Sequence, residues 1–259
     1  MGKLLYNYHT HTYRCGHASG KEEDYVLAAI KLGIKRLGFS DHIILPQGYE
    51  QPGTRGSYDV LDDYLKTIKG LKEKYKDKID IIVGFEAEYM PIFLDYYKKL
   101  LMEDVDYLIL GQHCYYDNGF KWYPHDNVTS KGVKLYVDHI LEGLRTGLFK
   151  YLVHPDLFMA AYSIWTEDIE KEARRLLKGC EELNIPIEIN IYGMNKHGYD
   201  GYHHSYPNKH FFSLVKDYHL KVVLGIDAHQ ESIFKEENIE KALEFAKEMG
   251  IEVDLDYKI

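Results

Sequence analysis

The stretch Leu4-Leu5-Tyr6-Asn7-Tyr8-His9-Thr10-His11 is a short apolar run that ends in two histidines. Other apolar runs along the chain also end in metal-binding or hydrogen-bonding side chains. Their endings are SDH at 40–42, GFE at 84–86, GQH at 111–113, VH at 153–154, EIN at 188–190 and GIDAH at 225–229. Because such side chains are costly to bury without partners, their repetition at strand ends predicts a shared polar centre with enough ligands for a cluster of metal ions.

Segments with helical periodicity alternate with these apolar runs, which is the pattern of βα units around a parallel sheet. The predicted strands are residues 4–8, 36–39, 79–85, 107–110, 151–153, 185–191 and 221–226. The predicted helices are residues 22–32, 59–75, 92–102, 131–148, 166–183, 208–217 and 236–249. Longer loops are predicted at 43–57, 115–130 and 193–207. Since a polar loop follows each strand, the pattern favours a closed or nearly closed barrel with its active site at the carboxyl ends of the strands.

Length and composition predict one soluble α/β domain that spans residues 1–259. A chain of 259 residues with 45% hydrophobic and 28% charged residues is normal for a single α/β barrel. The net charge of -9 argues against binding to nucleic-acid polymers. The N-terminal run is too short for a signal peptide and no apolar stretch approaches membrane-spanning length, so we expect a cytoplasmic protein without membrane contacts.

His9 and His11 are two residues apart on a predicted strand, so their side chains point the same way and can bind one ion together. Asp227 and His229 have the same spacing. One such pair is weak support, because a core or surface pair of histidines is the more common explanation. A core or surface pair of histidines does not account for the other strand endings, so the metal interpretation depends on those endings.

The ordered motifs resemble those of the PHP family of phosphoesterases over nearly the whole chain. They are HTHTYRCGHA at 9–18, SDH, GFEAEY at 84–89, the histidine of GQHCYYDNG, VHPDLF at 153–158, EIN and GIDAH. Length and loop pattern are most similar to the histidinol-phosphate phosphatase branch of that family. The resemblance implies a distorted (β/α)7 TIM-like barrel, the PHP fold, which carries a trinuclear metal site.

The same resemblance implies a set of metal ligands. The first ion would be held by His9, His11, Glu86 and Asp227. Glu86 would bridge to a second ion held by His113 and His154, and the third ion would be held by His17, His42 and His229. Imidazole and carboxylate ligands without thiolate suit zinc, manganese or iron. Glu88 lies on the same strand face as Glu86 and is the alternative bridging acid, whereas Asp41 either orients a ligand or caps a loop.

The implied reaction is hydrolysis of a small phosphate monoester, with L-histidinol phosphate as the expected substrate and histidine biosynthesis as the expected pathway. Clustered divalent cations would neutralise the phosphate dianion, and an activated hydroxide would attack phosphorus in line. Glu86 and Asp227 are the predicted catalytic carboxylates. His204, or its neighbour His203, is a candidate to protonate the leaving oxygen, although a pair of surface histidines is the slightly favoured explanation for both.

Residues that contact substrate are less well defined by the pattern. Arg14, Arg55 and Lys121 are cationic candidates for phosphate binding, and a solvated surface charge is the alternative for each. Asn190 is a candidate pocket residue together with Glu188, and a hydrogen-bonding role at the strand end would explain both. The many tyrosines of the loops suggest an aromatic wall, although barrel packing also uses tyrosine.

Three other interpretations remain open at this stage. The same chemistry can act on another small ester, such as a nucleotide or sugar phosphate. An amidohydrolase-like metal hydrolase shares the HxH start, but Glu86 and His17 favour the phosphoesterase. A catalytically silent metal-binding module is the third, and the complete ligand set argues against it. Gln112 and Ile226 stand where relatives often carry Ser, and the change at Gln112 bears on what occupies the pocket.

Overall fold

The computed structural model describes residues 2–123 and 130–259 of the chain. The strands are β1 Tyr6–Asn7, β2 Arg36–His42, β3 Asp80–Ala87, β4 Tyr107–Leu110, β5 Cys114–Tyr116, β6 Phe120–Trp122, β7 Ile187–Asn190 and β8 Val222–Gly225. The helices are α1 Glu22–Leu32, α2 Leu61–Tyr75, α3 Leu94–Glu103, α4 Ser130–Arg145, α5 Glu167–Glu182, α6 Ile191–Met194, α7 Lys209–Val215 and α8 Glu236–Glu248. Short 3-10 helices occur at Tyr13–Cys15, Tyr58–Val60, Pro91–Phe93, Leu157–Ala161 and Glu231–Ile233.

The main strands pair in parallel and form a curled sheet. β1 to β4 are neighbours in chain order, and β7 pairs with β8. Isolated parallel bridges continue the pairing, from Leu110 to Leu152, from Leu152 to Ile187 and from Ala228 to Thr10. The carboxyl ends of these strands therefore face the same side of the sheet, which confirms the predicted parallel α/β arrangement.

Two predicted segments differ from the observed ones. Residues 151–153 contain only the isolated bridge at Leu152, because the run between two polar turns is too short for a regular ladder. The loop predicted at 115–130 is wrong in its first part, where β5 and β6 form an antiparallel hairpin. Asn118 and Gly119 both have positive φ at its tip, which is the backbone that tight hairpin turns require. The rest of that loop, 124–129, lies outside the described residues.

Tyrosines fill much of the interior of the protein. Several are among the largest fully buried side chains, including Tyr6, Tyr8, Tyr107 and Tyr151. Their hydroxyls mostly donate to backbone carbonyl oxygens, as Tyr107 does to Tyr8 at 2.8 Å. The high tyrosine content is thus largely a property of the core rather than of the loops. None of the helices in residues 2–123 and 130–259 is both long and apolar enough to span a membrane.

Candidate metal centre

The predicted metal ligands lie at the carboxyl ends of the strands. His42 ends β2, and the sheet register places it opposite Glu86 near the end of β3. The other ligands follow β1, β4, the Leu152 bridge and β8, and they are His9, His11, His113, His154, Asp227 and His229. His17 lies in the segment that precedes α1. Strand order and register therefore gather side chains that are up to 220 residues apart in sequence, from His9 to His229.

The carboxylate of Glu86 lies at the middle of this group. Its Oε2 is 3.2 Å from Nδ1 of His42, 3.4 Å from Nε2 of His11 and 3.5 Å from Nε2 of His9. Its Oε1 faces the other way, 2.7 Å from Nε2 of His154 and 3.4 Å from Nε2 of His113. Each oxygen thus has its own set of imidazoles, which is the arrangement that a bridging carboxylate needs.

Asp227 forms the second carboxylate of the centre. Its Oδ1 lies 3.1 Å from Nε2 of His11, 3.4 Å from Nε2 of His9 and 3.3 Å from Nδ1 of His229. Its Oδ2 accepts a hydrogen bond of 3.0 Å from the Asn190 side-chain amide, which orients the carboxylate. Oδ1 is left to face the histidines.

Several atoms at the centre of the group fit a cation better than any protein partner. Nε2 of His9, Nε2 of His11, Oε2 of Glu86 and Oδ1 of Asp227 are buried without a hydrogen-bond partner in the described part of the chain. An unsatisfied buried polar atom costs about 1–3 kcal/mol, and most of the atoms of this kind in the described residues converge at this centre. Overlapping triads of possible ligands, such as His9–His11–Asp227 and His11–His42–Glu86, have their ligand atoms within 4.8 Å of one another. The residues present therefore fit a cluster of divalent ions.

The histidines and carboxylates of the centre shift one another's pKa values. Burial alone would raise the pKa of Glu86, but His113 and His9 hold that pKa well below its ordinary value. Burial would lower the pKa of His11, yet the nearby carboxylates of Asp227 and Asp41 outweigh it and raise the pKa to about 9. The pKa shifts thus favour the protonated forms of His9 and His11 beside the ionised carboxylates of Glu86 and Asp227. Since an imidazole nitrogen must lose its proton to bind a metal, metal binding at this site releases protons.

A second layer of carboxylates orients the histidines. Oε2 of Glu188 lies 2.9 Å from Nδ1 of His9, and Oε1 of the same carboxylate accepts from the Asn190 amide at 2.8 Å. Oε1 of Glu88 lies 3.2 Å from Nδ1 of His113. Such contacts select the imidazole tautomer that leaves the other nitrogen free for a metal. Glu88, the alternative bridging acid, therefore lies behind a ligand, and Glu86 is the carboxylate at the centre.

Backbone features at the strand ends support the same location. A Cβ at Gly111 would overlap the Glu86 carboxylate, and a Cβ at Gly225 would overlap that of Glu188. Only glycine leaves room for these two acids beside the strands. His154 and Asp227 have positive φ, at 29° and 53°, a backbone region that L-residues rarely adopt. Strain of this kind is typical of functional sites.

The cationic residues predicted to bind phosphate have other partners. Arg14 forms ion pairs with Glu22 and with Asp63, and Arg55 pairs with Glu88. These contacts favour a structural role for both arginines, because their charge is already compensated. Lys121 is exposed on β6 and, like the two arginines, is not among the described residues that line the cavity over the centre.

A cavity of about 690 Å³ lies over the metal ligands. One part of its wall is formed by the ligands, and another part is aromatic and apolar, with Trp122, Tyr123, Leu157, Tyr192 and Tyr206. The Gln112 side chain is not part of this lining, because its amide bonds to the backbone of Tyr89 and Cys114. The cavity therefore offers a charged end and an aromatic end to one ligand.

Sequence reasoning missed Lys196, which also lines this cavity. Its Nζ lies 4.6 Å from the centre of the Tyr206 ring and 5.3 Å from that of Tyr192. Burial of its ammonium group lowers the pKa of Lys196 although Asp227 opposes that effect. Its position in the loop at 193–207, directly after the EIN motif, was the available signal.

The two loop histidines are placed differently. His204 lines the cavity, and its Nδ1 is 3.2 Å from the Ala160 carbonyl oxygen. His203 instead contacts Asp200, with Nδ1 2.7 Å from a carboxylate oxygen. The cavity thus favours His204 over His203 as the residue that can reach a bound ligand.

The curled parallel sheet, with histidines and carboxylates converging at its carboxyl ends, defines an α/β protein built to hold several metal ions. The chain belongs to the PHP domain family, whose family model matches residues 7–191. It is 28% identical to the probable histidinol-phosphatase of Deinococcus radiodurans over 230 residues, which cover 86% of this chain and 85% of that protein. It is 24% identical to the histidinol-phosphatase of Bacillus subtilis over 254 residues, which cover 86% of this chain and 92% of that protein.

A solved structure has the same fold. The histidinol phosphate phosphatase of Lactococcus lactis subsp. lactis, in complex with zinc, L-histidinol and phosphate, superposes with a TM-score of 0.72 at 20% identity. The match covers 97% of this chain and 96% of that one. At this level of identity the comparison shows the fold, and the bound molecules are properties of that protein.

Proposed function

We propose that this protein is a metal-dependent phosphatase that hydrolyses a small phosphate monoester, with L-histidinol phosphate as its substrate. The observation that carries the proposal is the convergence of unpartnered atoms of His9, His11, Glu86 and Asp227 beneath a cavity. The names of the relatives give the substrate, since proteins called histidinol-phosphatases match most of this chain. The reaction would belong to histidine biosynthesis.

The proposed cofactors are three divalent ions of zinc, manganese or iron. The ligands are assigned as the motifs imply, with Glu86 between two ions and with His17, His42 and His229 for the third. The triad of His17, His42 and His229 has its ligand atoms within 4.8 Å of one another, which supports the third position. Bound divalent ions supply an acidified water as the nucleophile and neutralise charge on the phosphate oxygens.

The protein's own residues perform the remaining tasks. Lys196 provides a cation at the cavity for a phosphate oxygen, because its ammonium group contacts the faces of Tyr192 and Tyr206 and forms no ion pair with a carboxylate of the described residues. We propose that His204, which lines the cavity, protonates the leaving oxygen. With its Nδ1 directed at the Ala160 carbonyl, the other nitrogen of the ring is free to hold that proton.

The aromatic end of the cavity suits the rest of the substrate. Trp122, Tyr123 and Leu157 provide ring faces and an apolar surface for an imidazole-bearing alcohol. The same side chains exclude water from the reacting phosphate, which strengthens the charge interactions there.

We also propose that the whole chain forms one domain with a distorted (β/α)7 barrel. The isolated parallel bridges at Leu152 and between Thr10 and Ala228 support this, because they link the two groups of paired strands. A cytoplasmic location and the absence of nucleic-acid and membrane partners remain predictions from composition.

The test is phosphate release from L-histidinol phosphate, compared with a panel of nucleotide and sugar phosphates. The protein is stripped of metal with a chelator and then loaded separately with zinc, manganese or iron. We expect turnover only after loading, with histidinol phosphate preferred. Preference for another ester would support the phosphatase activity and show that the substrate is not L-histidinol phosphate. Inactivity on every ester with every metal would reject the phosphatase.

A further inference from the structure

The Arg55 guanidinium is fully enclosed at the carboxyl end of β3. Its Nη1 and Nη2 donate to the two carboxylate oxygens of Glu88, at 3.1 and 2.9 Å. Its Nε donates to Oε1 of Gln51 at 2.5 Å, and Nη1 also donates to the Ile43 carbonyl at 3.2 Å. All these partners are buried or backbone groups, so the position and orientation of the Glu88 carboxylate are set by a fork-to-fork pair.

The other side of this carboxylate faces a metal ligand. Oε1 of Glu88, which accepts from Arg55, also lies 3.2 Å from Nδ1 of His113. The opposite nitrogen of that ring, Nε2, is 3.4 Å from Oε1 of Glu86. A continuous series of contacts therefore runs from Arg55 through Glu88 and His113 to the centre of the cluster.

We infer that Arg55 and Glu88 are positioning residues, whose ion pair fixes the His113 ring with Nε2 directed at the second metal position. The inference rests on the proposed metal centre. A carboxylate on Nδ1 holds the proton there and keeps Nε2 as the free electron pair. Arg55 keeps Glu88 from turning toward the cluster, where it would compete with Glu86.

The same pair ties the segment at 43–57 to the site. Arg55 lies in that segment, which contains no regular strand or helix, and its neighbours Gly53 and Thr54 line the cavity. The Arg55–Glu88 contact thus fastens one wall of the cavity to the end of β3 at the point where His113 is oriented. The orientation of His113 and the position of this wall therefore share one contact.

The experiment measures metal affinity directly, without substrate. Metal-free wild type, Glu88→Gln and Arg55→Lys are titrated with Co²⁺ and Zn²⁺ against a competing chelator, and the visible spectrum of bound Co²⁺ is recorded. Wild type is expected to bind three ions. In both variants we expect one ion to bind about 10–100-fold more weakly, with a changed Co²⁺ spectrum. Glu172→Gln is the matched control, because Glu172 is buried and paired with Arg175 on α5, away from the cluster.

A double variant separates positioning from folding. Arg55→Met combined with Glu88→Met removes both buried charges, and such a swap often preserves or raises stability. We expect it to fold with a normal circular dichroism spectrum and still bind the ion at His113 weakly. Wild-type affinity and spectrum in this variant, or in Glu88→Gln, would overturn the inference and leave the proposed function intact. If wild type itself bound no metal, the proposed centre would fail and the inference with it.

Discussion

The two ends of the parallel strands both bury polar side chains, and they satisfy them in opposite ways. At the amino ends, the Tyr6 hydroxyl donates to the Asp254 carbonyl at 2.8 Å, and the Tyr8 hydroxyl donates to that of Tyr257 at 3.0 Å. At the carboxyl ends, histidine and carboxylate atoms converge without hydrogen-bond partners among the residues described. At the first end most of the buried hydroxyls have partners within the described chain, whereas the second end has its hydrogen-bonding capacity met only by ligands.

The contrast indicates which buried groups stabilise the fold and which serve the functional site. A buried hydroxyl with an internal partner contributes to folding, and its loss is felt in the free energy of unfolding. A buried atom held without a partner lowers stability and is retained where a ligand needs it. Substitutions at the carboxyl ends should therefore lower activity, and substitutions at the amino ends should lower stability.

The largest effect is expected for Glu86→Gln at the carboxyl ends. The amide cannot offer a negative oxygen to two cations, so we expect kcat to fall by about a thousandfold or more. Asp227→Asn should behave in the same way. Near-ultraviolet circular dichroism should keep the wild-type spectrum. Near-normal turnover in either variant would show that the assigned ligands are wrong.

The next effect concerns the two loop histidines. We expect His204→Ala to lower kcat by about a hundredfold, because the leaving oxygen loses its proton donor. His203→Ala is the matched control and should leave kcat close to wild type, since His203 pairs with Asp200 instead. The steady-state kcat values of the two variants are compared across pH 5–9. Equal losses in both variants would show that His204 is not the proton donor.

Lys196→Met keeps the length of the side chain and removes its charge. We expect kcat/KM to fall by about 10–100-fold, mainly through KM, because one charge-assisted hydrogen bond to phosphate is lost. Lys121→Met is the control from the exposed face of β6 and should have no effect. A loss confined to Lys121→Met would restore the sequence-based prediction.

The metal-free protein should lose stability as pH rises from about 6.5 to 9. The pKa of His11 is raised from 6.5 to about 9 in the folded state, so its contribution is fully present below the unfolded value and disappears above the folded one. Metal-loaded protein should lack this dependence, because cations replace the protons. Thermal unfolding of both forms at several pH values checks this, and identical profiles would contradict it.

The smallest effect is expected at the amino ends. Tyr107→Phe leaves the buried Tyr8 carbonyl without its donor, and we expect a loss of about 1 kcal/mol in the free energy of unfolding. Tyr151→Phe should cost nothing, because the Tyr151 hydroxyl has no hydrogen-bond partner in the part of the chain that the structure describes. Urea unfolding measures both. Phosphatase activity should be unchanged in the two variants, and a loss of activity in Tyr107→Phe would show that the two ends are coupled.

Much of the fold was predictable because its signals are local. The apolar runs and helical periodicity at α1 and β4 gave the observed bounds, since burial on one face is written directly in the spacing of residues. The hairpin of β5 and β6 was not predicted, because three-residue strands hold too few residues for a period to be recognised. The strand predicted at residues 151–153 was wrong for the same reason.

The sequence alone predicted which side chains could bind metal, because each stands at the end of an apolar run and parallel strands bring such ends together. The roles of the cationic side chains depend instead on contacts between distant parts of the chain. Arg14 and Arg55 look like Lys196 in sequence, as charges in loops near the motifs. Their roles differ because Arg14 faces Glu22, Arg55 faces Glu88 and Lys196 faces an aromatic cavity. These partners are distant in sequence, so local spacing does not reveal them.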